Sequence, residues 1–310
     1  MPERLDTVSF LSDYGTDDEF VGVVRSVIRT IAPEATVVDL CHGIAPHDVR
    51  GAGLALARAV QYLAPGVVLA VVDPGVGTQR RAVAVEVAEH GSVFVGPDNG
   101  LLASGVALAG GATRAVALTD ERFHLPSPGP TFAGRDIFAP VAAHLCNGQA
   151  LDDLGDPVDP ATLLPGVLPL ARPEGDALVA EVLWVDRFGN VQLNVDPEEL
   201  ARFADPVALS FHGQVRSASR APAYGDIPTG AIGLVTDAYG LVSVCADRRP
   251  AAAELGLGVG DSVTLGDAEG GRSGSGAGRG ASDRPLHLTI RPSTPDRRST
   301  PQSAIPDSMT

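Results

Sequence analysis

Three stretches of this chain place a carboxylate beside glycine just after a β-branched run. They are Phe10-Leu11-Ser12-Asp13-Tyr14-Gly15, Val71-Val72-Asp73-Pro74-Gly75-Val76-Gly77-Thr78 and Val95-Gly96-Pro97-Asp98-Asn99-Gly100. A carboxylate at such a point can grip hydroxyls, pair with a cation or accept a proton, while glycine leaves backbone N–H groups open to a ligand. Taken singly, each is ordinary turn chemistry, because Asp, Gly and Pro favour turns for local reasons. Three in one half of the chain point to a ligand site. Arg80 follows Asp73 by seven residues, and Thr131-Phe132-Ala133-Gly134-Arg135-Asp136 is a further charged turn leading into a helix. Downstream, Asp186-Arg187-Phe188-Gly189-Asn190 sets an aromatic ring beside an amide and a carboxylate. That combination suits a flat heterocycle needing both stacking and edge hydrogen bonds. The alternative is a plain β-turn with a buried Phe.

The elements that must position these groups follow from periodicity. Val8–Leu11, Thr36–Leu40, Val67–Val72, Ala82–Val87 and Val93–Val95 read as strands. Phe20–Ile31 repeats its apolar residues at helical period, Asp48 is placed to cap a helix over Val49–Leu63, and a further helix is expected from about Asp136 to Leu145. Strand–helix alternation predicts an α/β domain with a mainly parallel sheet and helices on its faces, over residues 1–160. Pro, Gly and Asp cluster at 155–175, so a linker is expected at 161–176. Short strands at Leu178–Val185, Val191–Val195, Val207–Phe211, Ala231–Val235 and Leu241–Cys245 predict a smaller, mostly antiparallel β domain over 177–266. Residues 267–310 are Gly-, Ser- and Pro-rich and expected to be disordered. In open α/β sheets ligands bind beyond the carboxyl ends of the strands, where the three acidic turns fall.

Composition narrows the chemistry. The 310 residues include 23 basic ones, all arginine. Without lysine, Schiff-base, P-loop and pyridoxal chemistries are excluded. A net charge of −15 argues against a nucleic-acid partner. No apolar run is long enough for a membrane span or a secretory signal, so a cytoplasmic location is expected. Cys41, Cys146 and Cys245 are far apart and read as reduced, mostly core residues; no CxxC pair offers a metal site, and none is expected. His42 and His47 read as capping or surface residues. Gly75-Val76-Gly77 lacks the third glycine and the helix start of a dinucleotide fingerprint.

In order, SDYGTDDEFVG, VVDPGVGTQRR, VGPDNGLL, TFAGRDIFAP and VDRFGNVQLN resemble the S-adenosylmethionine hydroxide adenosyltransferases, relatives of the fluorinase and chlorinase. The likeness spans about residues 5–265. It implies hydrolysis of S-adenosyl-L-methionine to adenosine and methionine, with no further cofactor. It also implies a homotrimer whose sites lie between the first domain of one subunit and the second domain of its neighbour. By position it implies that Asp13 grips the ribose hydroxyls and Asp18 lies near the methionine amino group. Asp186 and Asn190 contact the methionine end and the adenine, and Phe188 packs on the base. Asn99, Gly134 and Tyr239 complete the substrate set, and Asp73 and Arg80 handle the water. Where the family reads Thr-Phe-His-Gly-Arg-Asp, this chain has Ala133, and His124 is the nearest alternative histidine. Two other readings follow: a binding protein whose catalysis is weak or lost through Ala133, and a halide-using enzyme.

Overall fold

The computed structural model describes residues 5–268, which fall within one compact unit. The expected tail lies outside the described residues. The first half runs β1 (Thr7–Ser12), α1 (Phe20–Ile31), β2 (Thr36–Cys41), α2 (Val49–Ala59), β3 (Val67–Val71), β4 (Ala82–Val87), β5 (Val93–Pro97), α3 (Ala103–Leu108), β6 (Ala112–Ala117), α4 (Ala139–Cys146) and β7 (Asp156–Val158). These strands form one sheet in the order β2-β1-β3-β5-β4-β6-β7. The β2-β1-β3-β5 half is parallel, and β4, β6 and β7 extend it antiparallel. This is the helix-covered α/β domain the periodicity predicts.

β3 explains how the layers lock. All five of its residues are buried. Val67, Leu69 and Val71 point into one core with Val24 and Ile28 of α1 and Val141 of α4. Val68 and Ala70 point into the other, with Ala52 and Leu56 of α2 and Val106 of α3. A strand covered on both faces reads as a continuous apolar run because its period-2 alternation serves two cores. Asp48 caps α2 as expected, its carboxylate accepting from the Gly51 N–H at 2.8 Å. That helix is shorter than the sequence suggests, giving way after Ala59 to a 3₁₀ turn over Val60–Tyr62. The helix expected from about Asp136 to Leu145 opens as a π-helical turn over Gly134–Phe138 and is α-helical only over Ala139–Cys146.

The second half runs β8 (Arg172–Glu174), β9 (Ala177–Val185), β10 (Val191–Leu193), β11 (Val207–Phe211), β12 (Gln214–Arg220), β13 (Ile232–Thr236), β14 (Val242–Cys245), α5 (Ala251–Leu255) and β15 (Ser262–Asp267). Its strands follow the order β10-β14-β13-β12-β11-β15-β9-β8, and β10 also pairs with β9, which closes the sheet into a barrel. Among the described strands of this barrel, only the β12–β13 pair is parallel. Residues 163–171 carry no regular structure, and β7 and β8 flank them. Arg50 of α2 pairs with Glu181 of β9 at 2.5 Å, tying the two halves together.

Two hairpins of the barrel share one turn. In Asp186–Asn190 and in Asp237–Leu241 the aspartate Oδ1 accepts the N–H of the aromatic two residues on and of the residue four on. Gly189 and Gly240 both sit at φ 82, the left-handed region that favours glycine. The second turn is the more deeply tied. Asp237 Oδ2 also accepts from Gln192 Nε2 at 2.6 Å and Ser243 Oγ at 3.0 Å, and both side chains are buried.

Asp237→Ala therefore strands two buried polar side chains, at about 1–3 kcal/mol each. A stability loss of roughly 2–6 kcal/mol is expected by urea unfolding. Asp186→Ala, whose turn is more exposed, should cost less.

Candidate active site

The loop after β1 is pinned from beneath. Gly15 N–H donates to the His42 carbonyl at 2.8 Å, and Ser12 Oγ bonds His42 Nδ1 at 2.7 Å. His42 Nε2 lies 3.2 Å from Asp39 Oδ1. His42 is thus a buried support, not the surface or capping residue its flanks suggest, because the return of β2 folds it under Phe10. The His47 N–H donates to Asp13 Oδ2 at 2.9 Å, and His47 holds φ 68, uncommon for a side chain larger than glycine. One carboxylate oxygen of Asp13 is so engaged. Asp18 is exposed just before α1.

The loop after β3 folds on itself. Thr78 Oγ1 donates to the Gly75 carbonyl at 2.7 Å, and the Val76 N–H to that of Asp73 at 3.2 Å. This brings Arg80 back onto Asp73 as a bidentate pair, Nε to Oδ1 at 3.0 Å and Nη2 to Oδ2. The two side chains are 12% and 6% exposed. The guanidinium lies 5.4 Å from the Phe138 ring centroid, and Arg80 Nη1 is buried with no partner. Gly77, at φ 76, passes so close to Pro130 that a Cβ there would stand 2.9 Å from the Pro130 carbonyl oxygen. The Asp73–Arg80 loop and the 130–138 segment are therefore one packed unit.

That segment supplies Gly134. A Cβ at Gly134 would collide with the Tyr14 hydroxyl, so the small residue there makes room for Tyr14. Tyr14 meets Phe132 edge-on at 5.6 Å and packs on Phe20 at the same distance. Burial, with the carboxylates of Asp13, Asp73 and Asp136, pushes its phenol well above the usual range. Nothing in the sequence around Tyr14 marks it, because its partner lies 120 positions away. Ala133 is 8% exposed and belongs to the core. His124 is drawn toward the segment by the bond from Leu125 N–H to the Asp136 carbonyl at 2.8 Å, and burial lowers its imidazole pKa.

The third acidic turn is structural in its contacts. Asp98 accepts from Arg81 Nε at 2.9 Å and from the Leu164 N–H at 2.8 Å. Asn99 bridges the Val72 carbonyl at 2.9 Å and the Leu101 N–H at 3.1 Å, joining the ends of β3 and β5.

The barrel carries a second cluster. Asp186 Oδ2 accepts from Asn190 Nδ2 at 2.8 Å, and Phe188 is 78% exposed. The buried-Phe alternative for this turn therefore fails. Tyr239 packs edge-on against Trp184 at 6.0 Å, and the Arg58 guanidinium stacks on Trp184 at 4.2 Å. Burial lowers the pKa of Arg58. Cys245 beneath the two turns has its thiol pushed up to about 12, first by burial and then by Asp186 and Asp237. Cys146 is buried too, whereas Cys41 is exposed at the end of the edge strand β2. Among the described residues no His, Cys, Asp and Glu cluster could hold a metal, and no helix is long and apolar enough to cross a membrane.

An α/β domain with acidic turns at its strand ends, followed by a closed β barrel, defines a two-domain class. Residues 8–155 match the model of the SAM hydroxide adenosyltransferase N-terminal domain and residues 180–264 that of the C-terminal domain. The chain belongs to the SAM hydroxide adenosyltransferase family. It is 43% identical over 258 residues to the (R)-S-adenosyl-L-methionine hydrolase of Salinispora tropica, covering 83% of this chain and 97% of that protein. It is 41% identical over 272 residues to the protein of the same name from Thermus thermophilus, covering 83% and 98%. The fluorinase of Actinopolyspora mzabensis is more distant, 28% identical over 62% of this chain and 72% of its own length. An uncharacterized conserved protein from Thermotoga maritima superposes with a TM-score of 0.77 at 34% identity, over 84% of this chain and 99% of that one.

Gly134→Ala should lower stability by about 1–3 kcal/mol through overpacking against Tyr14. In a Tyr14→Phe background the loss should shrink, and a double-mutant thermal-denaturation cycle measures the coupling.

Proposed function

We propose that this chain hydrolyses S-adenosyl-L-methionine, with water attacking C5′ and sulfur leaving as methionine, to give adenosine. The observation that carries this reading is the buried Asp73–Arg80 pair at the carboxyl edge of the parallel strands. The hydrolase names of the relatives at 41–43% identity support it.

The sulfonium departs as a neutral thioether, so the leaving group needs no acid. The protein must supply a positioned nucleophile in line with the C5′–S bond. Orientation alone can account for roughly 7–11 kcal/mol of barrier lowering at best. Each Asp73 oxygen keeps a lone pair beyond its bond to Arg80 and can take the proton of an attacking water. Arg80 stays protonated; its free, buried Nη1 is the group to donate to that water and stabilise its developing hydroxide character. A carboxylate at this position disfavours an anionic nucleophile, which argues for water over halide.

Asp13 is assigned to the ribose hydroxyls and Asp18 to the methionine amino group. Asp186, Asn190 and Phe188 read the base and the methionine end, with Asn99, Gly134 and Tyr239 lining the remainder. No cofactor is assigned. The strongly exposed Phe188 fits a homotrimer in which each barrel turn completes the first-domain site of a neighbouring copy. A second reading has one observation in its favour. Ala133 puts no titratable group beside Gly134, as in a binding protein with weak catalysis.

Purified protein incubated with S-adenosyl-L-methionine should release adenosine and methionine, resolved by chromatography. Asp73→Asn should lower the rate by about 10²–10⁴-fold, the span of general-base effects. Binding without product would favour the second reading. Asp73→Asn and Asn190→Ala subunits, unfolded and refolded together, should recover part of the activity each lacks alone. No recovery, with mixed oligomers verified by mass, would remove the shared-site arrangement.

A further inference from the structure

Tyr14 carries a hydroxyl that the mechanism above does not use. It sits on the backbone of Gly134, at the start of the π-helical turn, in the space a Cβ there would fill. π-helical turns cost regular hydrogen bonding and recur at functional sites. The same turn meets the Tyr14 hydroxyl at Gly134, its first residue, and the Arg80 guanidinium at Phe138, its last. The ring is fixed by Phe10, Phe20 and Phe132, which leaves the hydroxyl little freedom. Neighbouring Ala133 offers no competing polar group.

We propose that Tyr14 is a further catalytic residue, its hydroxyl being the third hydrogen-bond partner, after Asp73 and Arg80, of the water that attacks C5′. The assignment rests on the hydrolytic reading. The water oxygen bonds C5′ as the C5′–S electron pair returns to sulfur. One water proton passes to Asp73. Tyr14 accepts the other O–H, which becomes the 5′-hydroxyl of adenosine, and keeps its own proton. Its oxygen lies against the Gly134 backbone, in the field of the Asp13, Asp73 and Asp136 carboxylates. The raised phenol pKa keeps the hydroxyl proton in place through neutral and alkaline pH. With Arg80 Nη1 on one lone pair and two acceptors on its hydrogens, the water has its last lone pair directed at C5′.

The test is Tyr14→Phe, which removes one oxygen and preserves the ring packing. Steady-state hydrolysis of S-adenosyl-L-methionine should show kcat reduced about 10–100-fold, the scale of a misplaced reactant, with KM within about twofold and unchanged thermal midpoint. Wild-type turnover matched by Tyr14→Phe overturns the proposal and leaves the hydrolase reading standing. A fall in kcat/KM carried wholly by KM also overturns it, since the hydroxyl would then only shape the pocket. No adenosine from the wild-type protein overturns both readings.

Discussion

A carboxylate and a guanidinium held out of water beneath the strand ends organise the first half of this protein. Desolvating two charges is expensive, and a buried pair of this kind seldom adds net stability over an apolar replacement. The Asp73–Arg80 pair persists because the surroundings over-determine it. The Thr78–Gly75 contact folds the loop, the Pro130 carbonyl closes on Gly77, and Phe138 supports the cation from below. Removing either charge would strand the other in a site built for both. That interdependence makes the pair and its loop a single unit.

The parallel sheet makes this arrangement possible. β1, β3 and β5 run side by side in the same direction, so their following loops emerge at one edge. Asp13 and Asp73 become neighbours there although they lie sixty positions apart. The two cores on either face hold β3 rigid, and a site on rigid strand ends keeps its geometry better than one on free loops. The barrel contributes groups of a different kind, an exposed aromatic and a paired carboxylate and amide, suited to recognition more than to proton transfer.

Much of this was legible in the sequence. Helix α1 has the predicted bounds because its apolar residues keep helical spacing and Val24 and Ile28 meet the core. The Asp48 cap and the barrel strands rich in valine and leucine were legible for the same local reasons. α3 was not, because Ala103-Ser104-Gly105 offers no apolar stripe; Gly105 is there to let Leu56 and Phe94 approach. β12 was not, since most of its residues are polar and exposed. In the site, Asp73 and Arg80 declared themselves through a short spacing and a turn. Tyr14 and His42 could not, because each meets its partners on another element. The exposure of Phe188 removes the buried-Phe alternative for its turn.

The paired hairpins of the barrel carry a further consequence. Both turns use the same Asp-x-aromatic-Gly scaffold, yet only Asp237 ties the strands through Gln192 and Ser243. Its twin at Asp186 leaves Phe188 in the open. Such asymmetry separates an anchored turn from a free one. Substitutions at 187 and 188 change an exposed tip while the seam at Asp237 keeps the barrel shut. One copy tied and one left open gives the fold a tip that can vary without loosening the strands beneath it.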